Sequence, residues 1–131
     1  MRRIFGKTLV EIAENDPNIV LLHGDVEQEM DEYKKRWPEK FFNVGLTEQS
    51  MISMAAGMAL EGLRPLVYSI TPFVLERPFE QIKIDICSMN LQVCLVGLGT
   101  GLSFSYYGSA GHGVIDIAVM RTLPEMRILN P

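Results

Sequence analysis

Two cysteines, two histidines and a single tryptophan are spread over 131 residues, and each scarcity closes off a class of protein. Cys87 and Cys94 sit in apolar surroundings, Ile84 to Ile86 and Val93 to Val96, and read as core thiols of a reducing compartment. A disulfide scaffold is therefore not expected. His23 and His112 are too far apart in the chain to give a zinc spacing, and the acidic cluster between Asp25 and Glu32 lacks the glycine of a calcium loop. No apolar run reaches the length of a membrane span. The basic N-terminus, Met1 to Lys7, is not followed by a signal-sequence core, so the expected location is the cytoplasm. Acidic residues outnumber basic ones by 16 to 12, for a net charge of −4, and Lys34-Lys35-Arg36 is the one basic cluster. That balance argues against a nucleic-acid partner.

Nucleotide and nucleophile signatures are missing too. No Walker motif occurs, and Gly97-Leu98-Gly99-Thr100-Gly101 is not a dinucleotide fingerprint, because its third glycine comes too early and no helix follows at once. Ser50, Ser69 and Ser109 lack a nucleophile elbow or an obvious base.

What is present is an alternation. With 47% hydrophobic residues the chain has the core of one ordinary domain. Phe5, Leu9, Ile12 and Ala13 fall at helical spacing over residues 2–15, and Asn15-Asp16-Pro17 stops that helix. Ile19 to Leu22 is a continuous apolar run, the pattern of a strand buried on both faces, and His23-Gly24-Asp25 leaves its C-terminal end. Residues 27–37 form a charged helix or ordered loop with Met30, Tyr33 and Trp37 as its apolar stripe. Phe41 to Val44 is a second strand. Thr47 is placed as the N-cap of a helix carrying Met51, Met54, Ala55 and Met58, which Gly62 closes. Strand at 65–69, helix at 75–88, strand at 91–96, helix at 113–121 and a last strand at 126–129 follow. The fold class is α/β, a parallel sheet with helices on both faces. The glycine-rich stretch from Gly97 to Gly113, with Tyr106 and Tyr107, is too long for a simple connection and reads as a ligand- or partner-facing loop. Ending directly after an apparent strand, the domain is expected to be incomplete at its C-terminal end.

Glu48 is the single charge between Phe41 and Leu60, and it stands where a strand hands over to a helix. A carboxylate in a first helical turn is accounted for by the helix dipole. A catalytic or cofactor-binding carboxylate would stand in the same place, and position alone leaves both open.

Four segments carry a resemblance: Phe41 to Leu60, Val67-Tyr68-Ser69, Arg77 to Ile86, and Asp116 to Met126. In this order they resemble the pyrimidine-binding domain of the transketolase family, which includes 1-deoxyxylulose-5-phosphate synthase. The resemblance implies one such domain over 1–131, with the thiamine-diphosphate-binding fold and transferase activity. It implies that Glu48 is catalytic, hydrogen-bonding N1′ of the cofactor's aminopyrimidine, with the proton exchange that yields the imino form and then the C2 nucleophile. A carboxyl among Val44, Leu46 and Met51, at an interface closed by a partner, is poorly solvated, which suits proton sharing. It further implies Phe73 as the residue on which the pyrimidine stacks, with Phe79 as fallback, and Arg77 and Asp25 as further cofactor-binding residues.

Two departures qualify what is carried over. The family's Asp-Gly-x-Thr-His loop falls here on Tyr107 to Gly111, so a ketose phosphate substrate is not implied, although His112 remains a candidate facing the substrate. The Gly-Asp-Gly…Asn signature that holds the diphosphate and Mg²⁺ is missing. The resemblance therefore implies a partner chain or domain in a homo- or hetero-oligomer that supplies this half of the thiamine diphosphate site, in a split or fragmentary enzyme for ketol or acyl transfer. The alternative is a catalytically silent scaffold or regulatory subunit of the same fold.

Overall fold

The computed structural model describes the backbone of residues 2–130 and the side chains of residues 4–130. Ile19 to His23 form strand β1, all five residues buried. That follows from the continuous apolar run, since only a strand covered on both faces hides every side chain. β1 pairs in parallel with β2 (Phe41–Asn43) on one side and β3 (Arg64–Ile70) on the other, and β3 pairs with β4 (Cys94–Leu98), giving the parallel order β2-β1-β3-β4.

Two apolar layers cover this sheet, and the pleat of β1 sorts residues between them. Ile19 and Leu21 pack with Leu9 and Ala13 of α1 (Arg2–Asn15) and with Tyr33 of α2 (Asp31–Arg36). Tyr33 is fully buried, and its hydroxyl donates to the Ile19 carbonyl at 3.1 Å, so the stripe read in the charged segment anchors a short helix. On the other face Val20 and Leu22 meet Met51, Ile52, Ala55 and Ala56 of α3 (Glu48–Leu60), with Val74, Ile82, Ile86 and Met120.

Several sequence-based expectations shift. The buried face of α3 is Met51, Ile52, Ala55 and Ala56, whereas Met54 is exposed. Thr47 precedes α3 without capping it: its hydroxyl donates backward to the Val44 carbonyl at 2.8 Å. The helix expected at 75–88 is two pieces, α4 (Thr71–Leu75) and α5 (Phe79–Gln81), the latter running into a π-helical turn at Ile82–Cys87. Pro78 lacks the N–H that would continue the first piece, and the wide turn is recorded by hydrogen bonds from Ser88 N–H to Lys83 O and from Leu91 N–H to Ile86 O, both 3.0 Å. β4 begins three residues later than expected, at Cys94, and Cys94 is exposed rather than a core thiol because β4 is an edge strand; Cys87 is buried.

The final helix, α6, is confined to Asp116–Met120. No strand forms at 126–129, where Leu129 is 90% exposed. An apolar run becomes a strand only by laddering with a partner, and this one has none among the described residues. The long loop is ordered: Gly101 and Gly113 exchange two backbone hydrogen bonds at 2.8 and 2.9 Å, closing a neck around a 3₁₀ stretch at Ser105–Gly111. Among the described residues no helix is long and apolar enough to cross a membrane.

Candidate active site

The strand order places a topological switch point between β1 and β3, whose connections leave toward opposite sides, and open parallel sheets offer a crevice at the carboxyl ends there. His23, Gly24 and Asp25 leave β1 at that point, Ser69 and Ile70 end β3, and the turn after β2 delivers Glu48 from a third direction. Gly45 makes that delivery possible: it takes φ 67°, a left-handed conformation that disfavours any Cβ.

Glu48 is fully buried. Arg77 donates from Nη1 to Glu48 Oε2 at 2.7 Å, whereas Oε1 is buried with no hydrogen-bond partner. The Arg77 guanidinium also lies 4.2 Å from the centre of the Phe73 ring, close enough for a cation–π contact. Glu48, Arg77 and Phe73 are thus one connected group. Ser69 Oγ is likewise buried without a partner. Gly24 completes the floor: a Cβ there would stand 3.8 Å from Glu48 Oε1, 3.7 Å from Ser69 Oγ and only 2.9 Å from the Gly45 carbonyl oxygen.

In front of this group opens a cleft of about 490 Å³, walled by Phe73, Leu46 and Ile70, by Asp25 and Glu27, and by Phe104, Tyr106 and Tyr107 of the long loop. The carboxylate side of its rim is held by polar contacts. Lys34 hydrogen-bonds Glu27 at 2.9 Å and holds its carboxyl below the usual value. His23 is completely buried, with its Nε2 3.7 Å from Glu27 Oε1 and no hydrogen bond to either ring nitrogen; burial pushes its pKa down, outweighing the opposite pull of Glu27.

The sequence-derived candidates separate on this geometry. Glu48, Phe73 and Arg77 come together; of the three, Phe73 lines the cleft, as Asp25 does, while Glu48 and Arg77 lie behind that lining. The surroundings of Glu48 are less apolar than the sequence suggests, because Leu46 is 65% exposed and Arg77 supplies a cation. Phe79 packs against the core cluster and not in the cleft. His112 follows the 3₁₀ stretch, half-buried, and is not among the residues that line the cleft. Residues missed by sequence reading are Ser69, Glu27 and Asn43; the signal available for them was their position at or just beyond the carboxyl ends of strands. Among the described residues no three His, Cys, Asp or Glu side chains converge as a metal site.

Comparison with known proteins agrees with this architecture. A family model for the transketolase pyrimidine-binding domain matches residues 1–131. A 1-deoxy-D-xylulose-5-phosphate synthase from Halalkalibacterium halodurans is 39% identical over 130 residues, covering 98% of this chain and 20% of the relative. One from Carboxydothermus hydrogenoformans is 36% identical, covering 98% and 21%. The chain therefore spans about a fifth of the length of these curated relatives. Among solved structures, a split-gene transketolase described as an inactive β4 tetramer superposes with a TM-score of 0.80 at 34% identity, over 93% of this chain and 40% of that one. With the motif order, the parallel sheet and the family match in agreement, this chain belongs to the transketolase pyrimidine-binding domain family.

Proposed function

We propose that this chain is the pyrimidine-binding half of a thiamine-diphosphate-dependent, transketolase-like transferase, with Glu48 as its catalytic carboxylate. The observation that carries the reading is the state of Glu48: a fully buried carboxylate with one oxygen held by Arg77 and the other left without a partner. An orphaned buried acceptor costs free energy unless something fills it, and a ring nitrogen that shares a proton is a suitable occupant. The residues present fit the group. Phe73 offers an apolar face at the cleft and Glu48 Oε1 an acceptor, with Asp25 on the rim.

When bound, thiamine diphosphate supplies carbanion chemistry for ketol or acyl transfer. This chain's own part is to orient and to handle a proton. Glu48 holds or returns a proton at Oε1; Arg77 fixes the carboxylate plane through Oε2; and the full burial of Glu48 limits water near that proton. Mg²⁺ and the diphosphate belong in this reading to a partner chain or to another domain, in a cytoplasmic homo- or hetero-oligomer. Asp25 is assigned to the cofactor rim, and His112, which lies outside the lining of this cleft, to the substrate side.

The test is Glu48→Gln in the assembled, thiamine-diphosphate- and Mg²⁺-loaded enzyme. Removing a general acid–base group is expected to lower turnover by about 10²- to 10⁴-fold, with the circular dichroism spectrum unchanged. Turnover within twofold of wild type would remove the catalytic assignment. A second reading, a catalytically silent subunit of the same fold, is favoured by the loop, where Tyr107 and Gly111 replace the expected aspartate and histidine. A neighbouring reading frame with the Gly-Asp-Gly…Asn signature supports the split enzyme over that alternative.

A further inference from the structure

Asn43, the last residue of β2, uses its carboxamide to join the turn after β1 to the turn after β2. Its Oδ1 accepts from the Gly45 N–H at 2.9 Å and from the Asp25 N–H at 3.4 Å. Its Nδ2 donates to Asp25 Oδ1 at 3.0 Å and to Glu27 Oε1 at 3.3 Å. One side chain therefore ties the turn after β1, which carries the carboxylate rim of the cleft, to the turn after β2, which carries Glu48 three residues beyond Gly45.

Both tied backbones are left-handed, and one of them is costly. Asp25 has φ 54°, a region disfavoured by roughly 1 kcal/mol for a residue with a Cβ, whereas Gly45 adopts φ 67° without that penalty. A strained residue such as Asp25 persists where surrounding contacts over-determine it. Asn43 itself is exposed and is absent from both core clusters, so its side chain has little packing to contribute.

We infer that Asn43 is a positioning residue: its carboxamide sets the register between the Asp25–Glu27 rim and the Gly45–Glu48 turn, and through that turn the aim of Glu48 Oε1. The inference rests on the proposed role of Glu48 for its catalytic consequence, but its structural half stands separately. Leu and Ala lack the four contacts altogether. Aspartate keeps an acceptor for the Gly45 N–H, loses both donors and sets a third carboxylate against Asp25 and Glu27.

The experiment has two arms. In the chain itself, Asn43→Ala and Asn43→Asp are compared with wild type by amide hydrogen exchange and by ¹³C NMR of the Glu48 carboxyl at one fixed pH. Asn43→Ala is expected to speed exchange at Gly45 by about fivefold, the scale of one lost hydrogen bond, and to shift the Glu48 carboxyl ¹³C resonance. Asn43→Asp is expected to keep Gly45 protected while releasing Asp25. Gly45 exchange and a Glu48 carboxyl resonance identical to wild type in Asn43→Ala would overturn the inference.

In the loaded enzyme, Asn43→Ala is expected to lower kcat about tenfold with the melting temperature little changed, and to add nothing to Glu48→Gln, as residues acting through one group are not additive. Full additivity in the double variant would also overturn it. If Glu48→Gln proves fully active, the functional reading fails, and the exchange and NMR arm still decides whether Asn43 sets the turn.

Discussion

Arg77 Nη1 lies 2.7 Å from Glu48 Oε2, and the two residues are 29 positions apart in the chain. The carboxylate is fully buried, while the arginine side chain is 38% exposed. This asymmetry decides what each residue can lose. Glu48 depends on Arg77 for charge compensation, whereas Arg77 retains access to water.

Arg77→Ala is therefore expected to destabilise the fold by about 1 to 3 kcal/mol. That is less than the roughly 3 to 5 kcal/mol for breaking a fully buried pair, because solvent already screens the guanidinium. Adding Glu48→Gln should recover part of the loss, since a carboxamide leaves no buried charge. A double-mutant cycle by urea unfolding measures the coupling. Additive losses in the two variants would show that the pair is not coupled.

Gly24→Ala is expected to disturb the site through the backbone. Its Cβ would stand 2.9 Å from the Gly45 carbonyl oxygen, so the turn that delivers Glu48 must move. A loss of about 1 to 3 kcal/mol is the scale of such overpacking. The check is thermal unfolding together with the amide shifts of Gly45 and Glu48, which should change more than those of α1.

His23 makes stability depend on pH. Burial lowers its pKa in the folded chain from the ordinary 6.5, so the unfolded chain binds more protons just below that value. Stability is then full above about pH 6.5 and falls as the pH drops toward the depressed folded pKa. Glu27, Asp25 and Lys34 face the same ring, and the two carboxylates moderate the loss while Lys34 adds to it. Urea midpoints measured between pH 7.5 and 5.5 should decline in wild type and decline less in His23→Leu. Equal slopes would assign the dependence elsewhere.

β1 was legible because its apolar run is uninterrupted, and such a run is stable only when both faces are covered. The alternation of strands and helices gave the parallel class for the same reason: parallel neighbours need crossovers. Glu48 was legible as a lone charge at a strand-to-helix turn. β4 and the segment at 126–129 were misplaced because hydrophobic runs do not state where a ladder starts or whether a partner strand is there to form one. The split of the expected helix at 75–88 turned on Pro78, whose missing N–H was visible in the sequence, and on a π-helical turn that has no composition signal.

The sequence by itself determined which residues are apolar, where glycine permits a left-handed turn, and hence the order and type of most elements. Only the tertiary structure decided that Arg77 compensates Glu48, that Phe73 stands under the same guanidinium, and that Asn43 joins the ends of β1 and β2. The reason is physical: periodicity is a local property of the chain, whereas a hydrogen bond across 29 residues exists only once the sheet has fixed the ends of its strands.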